Sequence, residues 1–330
     1  MESMNQMLQG QEIESALQRL QDLRSETAKL FIGQQELVTG VICGILSGGH
    51  VLIEGVPGLG KTLLAKSLAT ALGCQFNRIQ FTPDLMPADI TGTHIYHTEK
   101  QKFLFYKGPV FTNMLLADEI NRAPAKTHSA LLEIMQERSV TLDGKQYGVD
   151  EPFFVIATQN PIESEGTYGL PEAQLDRFML KLNVEYPQKE EEIGVYRMHL
   201  SGGEPDPQKL QPVLDAAGIL ALRHVADRVH VSDSILHYVH RLIDGTRKRR
   251  DLAVACSPRA ALAVLRAARV RALMKGRGYV LPDDIKEMAP AAFRHRLRLQ
   301  PEAYLEGIRP DDIIADLLSV TEVPEKEFDA

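Results

Sequence analysis

Gly55-Val56-Pro57-Gly58-Leu59-Gly60-Lys61-Thr62 decides the reading of this chain. The stretch matches G-x-x-x-x-G-K-[ST], a loop that cradles nucleotide phosphates. His50 to Glu54 before it reads as a short buried strand, and Leu63 to Leu72 after it as a helix. Glycine lets such a loop turn its N–H groups onto phosphate, and the helix N-terminus adds partial positive charge there. Gly55, Pro57, Gly58, Leu59 and Gly60 form the expected cradle, with Leu63 at its rim. Lys61 is placed for the β- and γ-phosphates and the Thr62 hydroxyl for magnesium. The competing reading is a glycine-rich turn that binds nothing, and the flanking strand and helix argue against it. The expected ligand is a nucleoside triphosphate.

The 330 residues suffice for about two domains. A net charge of −7 argues against sequence-independent nucleic-acid binding, which needs a basic surface. Cys43, Cys74 and Cys256 lie far apart, without metal-ligand spacing, and are expected to be reduced. No run approaches the ~18 apolar residues of a membrane helix, and Met1 to Asn5 lack a signal core. A cytoplasmic location is expected.

Working outward, Ile13, Leu17, Leu20, Leu23 and Leu30 give an amphipathic lead-in helix over 12–31, and a second follows to Leu46. Strands are expected at 50–54, 76–81, 114–118, 153–158 and 179–184, alternating with helices as in a parallel α/β sheet. A strand-rich insert is expected near 92–106, and a hairpin at 139–149 turning on Asp143-Gly144. After Pro187 the pattern becomes helical, with a linker around Gly202-Gly203 and Pro205. The expected division is a nucleotide-binding core over 1–187 and an all-helical lid over 188–330.

Met114-Leu115-Leu116-Ala117 runs into Asp118 and Glu119. Asp118 is placed to hold magnesium and Glu119 to polarise the attacking water, unless the pair is a solvated strand edge. Asn160 follows another apolar strand, where ligands bind in such sheets, although Asn160-Pro161 can equally be a turn. Arg177 presents a fork suited to phosphate, and as a finger would face a neighbouring subunit; the alternative is a surface pair with Asp176. Arg259 follows Ser257-Pro258 in the first turn of a helix, against its dipole, which suggests an anionic partner such as the nucleotide. The run Arg247 to Arg250 reads as a solvated loop rather than a nucleic-acid patch.

Taken in order, these elements resemble an AAA+ ATPase, and within that class the MoxR family of the clade with a helix-2 insert. The resemblance is carried by Gly55 to Thr62, Phe105 to Phe111, Leu116 to Pro124, Ala157 to Pro161, Glu165 to Tyr168, Leu170 to Phe178, Ser257-Pro258-Arg259 and Arg294-His295-Arg296. It implies ATP and Mg2+ as ligands, with Ile32 and Gly33 near the adenine. Asp118 and Glu119 would be the Walker B pair, Asn160 sensor 1, Arg177 the finger acting in trans and Arg259 sensor 2. It implies a homo-oligomeric ring, a hexamer, and chaperone-like remodelling or cofactor maturation of a client, often with a von Willebrand factor A-domain partner. ATP would sit between the core and lid of one subunit. Cys256 stands where the family pattern suggests glycine, and His128 where it suggests glutamine. The competing functions are a nucleic-acid-stimulated motor and a nucleotide-gated scaffold without turnover.

Overall fold

The computed structural model describes residues 8–161, 169–202 and 204–324. The expected Glu165–Tyr168 turn and Gly203 lie outside them. Helices α1 (Gly10–Ala28) and α2 (Gln35–Leu46) precede strand β1 (Val51–Glu54), and α3 (Lys61–Ala71) follows the phosphate loop. Strand β2 (Phe76–Gln80), the short helix α4 (Pro87–Thr91) and the pair β3 (Gly92–His97) and β4 (Lys102–Lys107) lead to β5 (Met114–Asp118). Helix α5 (Ala125–Glu137), the pair β6 (Ser139–Leu142) and β7 (Lys145–Gly148), β8 (Phe154–Gln159), α6 (Glu172–Leu175) and β9 (Leu180–Asn183) complete the α/β part. Then come α7 (Lys189–Gly202), α8 (Ala216–Asp227), α9 (Asp233–Arg247), β10 (Leu252–Val254) and α10 (Pro258–Met274). The described chain finishes with α11 (Pro282–Phe293), β11 (Arg298–Leu299), α12 (Pro301–Leu305) and α13 (Pro310–Val320).

The main sheet is parallel, in the order β2-β5-β8-β1-β9. Alternation along its strands sorts two apolar layers, because successive side chains point to opposite faces. Val51, Ile53, Leu116, Ile156 and Leu180 join one core with α1, α2 and α3. Leu52, Leu115, Ala117, Val155 and Ala157 join the other, with Leu131 and Leu132 of α5. The first core continues without a break into Leu222, Val239, Val264, Ile285 and Ile314 of the C-terminal helices. The lid therefore docks on the α1–α2 side.

An all-helical lid was expected; β10 and β11 instead form a short antiparallel pair within it. The connections leaving α9 and α11 run side by side, and Leu252 opposite Leu299 lets their backbone groups satisfy one another. Cys256 is buried and its N–H donates to the Thr246 hydroxyl at 3.1 Å, so α10 starts on the Ser257 cap without glycine. Asp143 and Gly144 both have positive φ, 49° and 75°, the turn that matches the twist of a two-residue hairpin. No helix among the described residues is long and apolar enough to cross a membrane.

His50, just before β1, is buried, with Nε2 at 3.0 Å from the Met135 carbonyl and Nδ1 accepting the Val155 N–H at 3.1 Å. Burial pushes its pKa down to about 4. The folded value lies below the unfolded one near 6.5, so the unfolded chain binds the proton first as pH falls. The associated stability is complete above about pH 6.5 and is lost towards pH 4, to the order of 3 kcal/mol. Urea midpoints should fall over that window and be flat from pH 7 to 8; a midpoint level down to pH 4 would contradict the buried neutral ring.

Candidate active site

Two glycines shape the phosphate loop. A Cβ on Gly55 would meet Val184 atoms at 2.8 Å and 3.0 Å, so only glycine lets the loop pass the exit of β9. Gly60 caps α3 at φ 74°, a left-handed conformation that side chains disfavour, and so turns the helix N-terminus into the loop. The Lys61 ammonium is held by the Gly55 carbonyl and, at 3.2 Å, by that of Val56. Burial pulls its pKa down, while Asp118, Glu119 and Glu54 oppose this. The structure brings Phe31 to the loop and sets Ile32 and Gly33 against α7. The Phe31 ring lies against Gly60, Ile32 packs on Gly194 of α7, and Gly33 faces the Glu191 carboxylate.

Asp118 ends β5 and is buried. Its Oδ1 accepts the Thr158 hydroxyl, and its Oδ2 lies 3.5 Å from the Thr62 hydroxyl. Glu119 takes φ 55°, unusual for its residue type, and its N–H donates to Thr158 Oγ1 at 2.8 Å. Its Oε2 accepts Gln80 Nε2 at 3.0 Å and Arg122 Nη1 at 2.9 Å. Asn160 is buried just past the end of β8, the strand beside β1, with its carbonyl accepting Asn121 Nδ2 at 3.3 Å. The acid pair thus belongs to a hydrogen-bonded site, not to a solvated edge. An Mg2+ ion with nucleotide phosphates fits these donors: a hydroxyl and a carboxylate oxygen 3.5 Å apart beside an ammonium at a helix N-terminus.

Sequence reading missed Arg78. From β2 its Nε and Nη2 reach Asp118 Oδ2 at 3.1 Å and 2.7 Å. Gln80, two residues on and on the same strand face, reaches Glu119. Alternation puts Arg78 and Gln80 on one strand face, but does not say which strand lies beside it. Thr158 of β8 holds both Asp118 and Glu119. His128 is buried, bonded through Nε2 to the Ile120 carbonyl, with burial lowering its pKa; it is a packed residue.

Arg177 is exposed and donates from Nη1 to the Leu132 carbonyl at 2.7 Å. The surface pair with Asp176 is not formed. Asp176 instead accepts Arg296 Nε at 2.7 Å on Oδ1 and Arg259 Nη1 at 3.2 Å on Oδ2. One anionic partner of Arg259 is thus this carboxylate. Arg259, Asp176, Arg177, Met135 and Gln136 line one open cleft of about 240 Å³.

Arg259 was expected over the nucleotide of its own chain; here it pairs with Asp176, at the start of the segment leading into β9. Strand register pairs Leu180 with Val51 and Asn183 with Glu54. The phosphate loop follows Glu54, whereas Asp176 precedes Leu180, so the two lie at opposite ends of the sheet. At ~3.3 Å per residue the strands alone separate them by roughly 10 Å. The start of α10 thus carries Arg259 into the cleft that Arg177 also lines.

In the basic run, Lys248 pairs with Asp244, and Arg249 with both Asp251 and Asp316. Two of its four cations are therefore held by acids, and the run begins inside α9, whose last residue is Arg247.

Loop, acid pair and lid define a P-loop ATPase of the AAA class. Residues 50–180 match the family profile described as ATPase family associated with various cellular activities (AAA), and residues 244–317 that of the AAA lid domain. Chaperone MoxR1 of Mycobacterium tuberculosis is 46% identical over 91% of this chain and 81% of its own. An uncharacterized Bacillus subtilis protein is 43% identical over 90% of this chain and 92% of its own. A Cytophaga hutchinsonii crystal structure, described only provisionally as an ATPase, superposes with TM-score 0.88 at 41% identity, covering 96% and 98% of the two chains. The chain belongs to the MoxR family of AAA+ ATPases.

Proposed function

We propose that this chain hydrolyses ATP to ADP and phosphate in a ring of identical subunits, a hexamer, and uses the cycle to remodel or mature a client protein. The carrying observation is the position of Arg177 and Arg259. They lie at the end of the sheet away from their own phosphate loop, and so are offered to the loop of a neighbour. Gly55 to Thr62 bind the phosphates, Ile32 and Gly33 flank the base, and Leu63 closes the rim. Thr62 and Asp118 would hold Mg2+, which would supply charge neutralisation at the phosphates. Glu119 accepts the proton of the attacking water, Asn160 orients that water, and the neighbour's arginines meet the γ-phosphate.

Residues 1–187 and 188–330 serve as core and lid. The insert and hairpin supply the client surface. Ile95, Tyr96, Phe103 and Tyr106 of β3–β4 are exposed, and His94 ties that pair to β6–β7 through Asp143 at 2.8 Å. The chaperone name of the mycobacterial relative supports the client reading. A von Willebrand factor A-domain partner and a cytoplasmic setting belong to the same proposal.

A shared site makes turnover depend on assembly. Phosphate release per chain should rise with protein concentration and fall on dilution, in step with the ring seen by sedimentation. Turnover independent of concentration in a monomer would defeat the proposal. A second expectation concerns Arg78, which occupies the same Asp118 oxygen that Mg2+ requires. Replacing a half-exposed pair worth ~0.2–1 kcal/mol should lower the half-saturating Mg2+ concentration by up to about fivefold in Arg78→Gln. An unchanged or raised Mg2+ requirement would show that Arg78 does not compete there.

A further inference from the structure

Arg294-His295-Arg296 directly follows α11. Its three side chains grip one stretch of backbone. Arg294 Nη1 donates to the Lys181 carbonyl at 3.0 Å, and His295 Nε2 to that of Phe178 at 2.9 Å. Arg296 Nη2 donates to the same Phe178 carbonyl at 2.9 Å, and Nη1 to that of Met179 at 3.0 Å. Burial pushes the His295 pKa well down, so its ring is neutral, with the proton on the nitrogen that meets Phe178. The gripped residues, 178–181, run directly from Arg177 into β9.

The Asp176 carboxylate joins this clasp to the lid's arginine. One oxygen takes the buried Arg296 and the other takes exposed Arg259 at the start of α10. An exposed pair such as Arg259–Asp176 adds little stability, and a buried guanidinium is costly where apolar packing would hold two elements together as well. What the arrangement supplies is direction. Resting on the shared-site reading above, we propose that Asp176 and the Arg294-His295-Arg296 clasp form a positioning unit. It holds Arg259 beside Arg177 and makes the lid and the finger segment move as one body, so that a neighbour's γ-phosphate meets a preset pair of guanidiniums.

Asp176→Asn keeps the shape of the side chain and removes its charge. Arg296→Lys keeps the charge and loses the planar fork. For each, the ring, a fluorescent ATP analogue titration, and kcat and KM would be measured, with a thermal melt to show folding. The expected result is a fall in kcat of about tenfold or more, with KM and analogue affinity nearly unchanged. Mixed with Lys61→Ala subunits, which keep their own arginines, each variant should regain turnover, because its intact phosphate loop now meets a correctly aimed pair. An Arg177→Ala mixture made the same way tests the shared site itself. If kcat does not fall, the positioning role is wrong. If kcat falls and only the Arg177→Ala mixture recovers, Asp176 and Arg296 are structural and the shared site stands. If neither mixture recovers, the shared-site reading fails and this inference with it. Should Asp176→Asn not fold, Arg296→Lys carries the same comparison.

Discussion

Glu119→Gln should stop phosphate release while leaving ATP bound and the proposed ring assembled. The carboxylate sits one residue past Asp118, and its main chain is turned by φ 55°, a costly conformation for a side chain with a Cβ. Two donors fix its Oε2, Gln80 Nε2 and Arg122 Nη1, and its own N–H is anchored on Thr158. The amide of glutamine has nearly the same shape and still offers an oxygen to one of those donors. It has no basic oxygen to take a proton from water. A general base contributes about 10²–10⁴ in rate, so kcat should fall by at least the lower figure with the affinity for a fluorescent ATP analogue little altered. Phosphate release at the wild-type rate would remove Glu119 from the mechanism and turn attention to Asn160. The same variant holds the ATP state, so it is the form in which to capture the client. A variant that also lost nucleotide would point to a structural role instead.

The elements nearest the phosphate loop were legible because the information is local. An apolar run into Gly55 to Thr62, then a helical pattern, fixes strand, loop and helix within a residue or two. Asp143-Gly144 similarly announced its hairpin, since few dipeptides tolerate two positive φ values. Arg78 was not legible. Its role depends on Arg78 and Asp118 meeting across the β2–β5 register, and nothing local to either residue states which strands are neighbours. The position of Arg259 was hidden for a related reason. Ser257-Pro258 marks the start of α10 plainly, but helical periodicity does not say on which side of the sheet the helix docks. That is decided by the first apolar core, which continues from α1 and α2 into α8 and α10 and sets the lid on that side of the sheet.

Arg177→Ala should be nearly inactive alone and partly active in company. Its guanidinium is exposed, steadied by the Leu132 carbonyl, and shares a cleft with Arg259 at the far end of the sheet from its own loop. Removing it leaves Lys61, Thr62 and Asp118 of the same chain untouched, so ATP binding should persist. Arginine fingers are worth about 10³–10⁵ in phosphoryl transfer, and a loss near the lower end is expected for kcat, since Arg259 remains beside the vacated place. Lys61→Ala has the opposite defect, a crippled phosphate loop with both arginines present. In a random equal mixture about one interface in four joins an intact loop to an intact finger, because a heterologous contact draws its two halves from different subunits. Turnover should therefore recover towards a quarter of the wild-type rate, well above either variant alone. The recovery discriminates sharply between geometries. Were Arg177 to act on the nucleotide of its own chain, no mixture could place a working finger and a working loop in one site, and the activity would stay at the mean of the two parents.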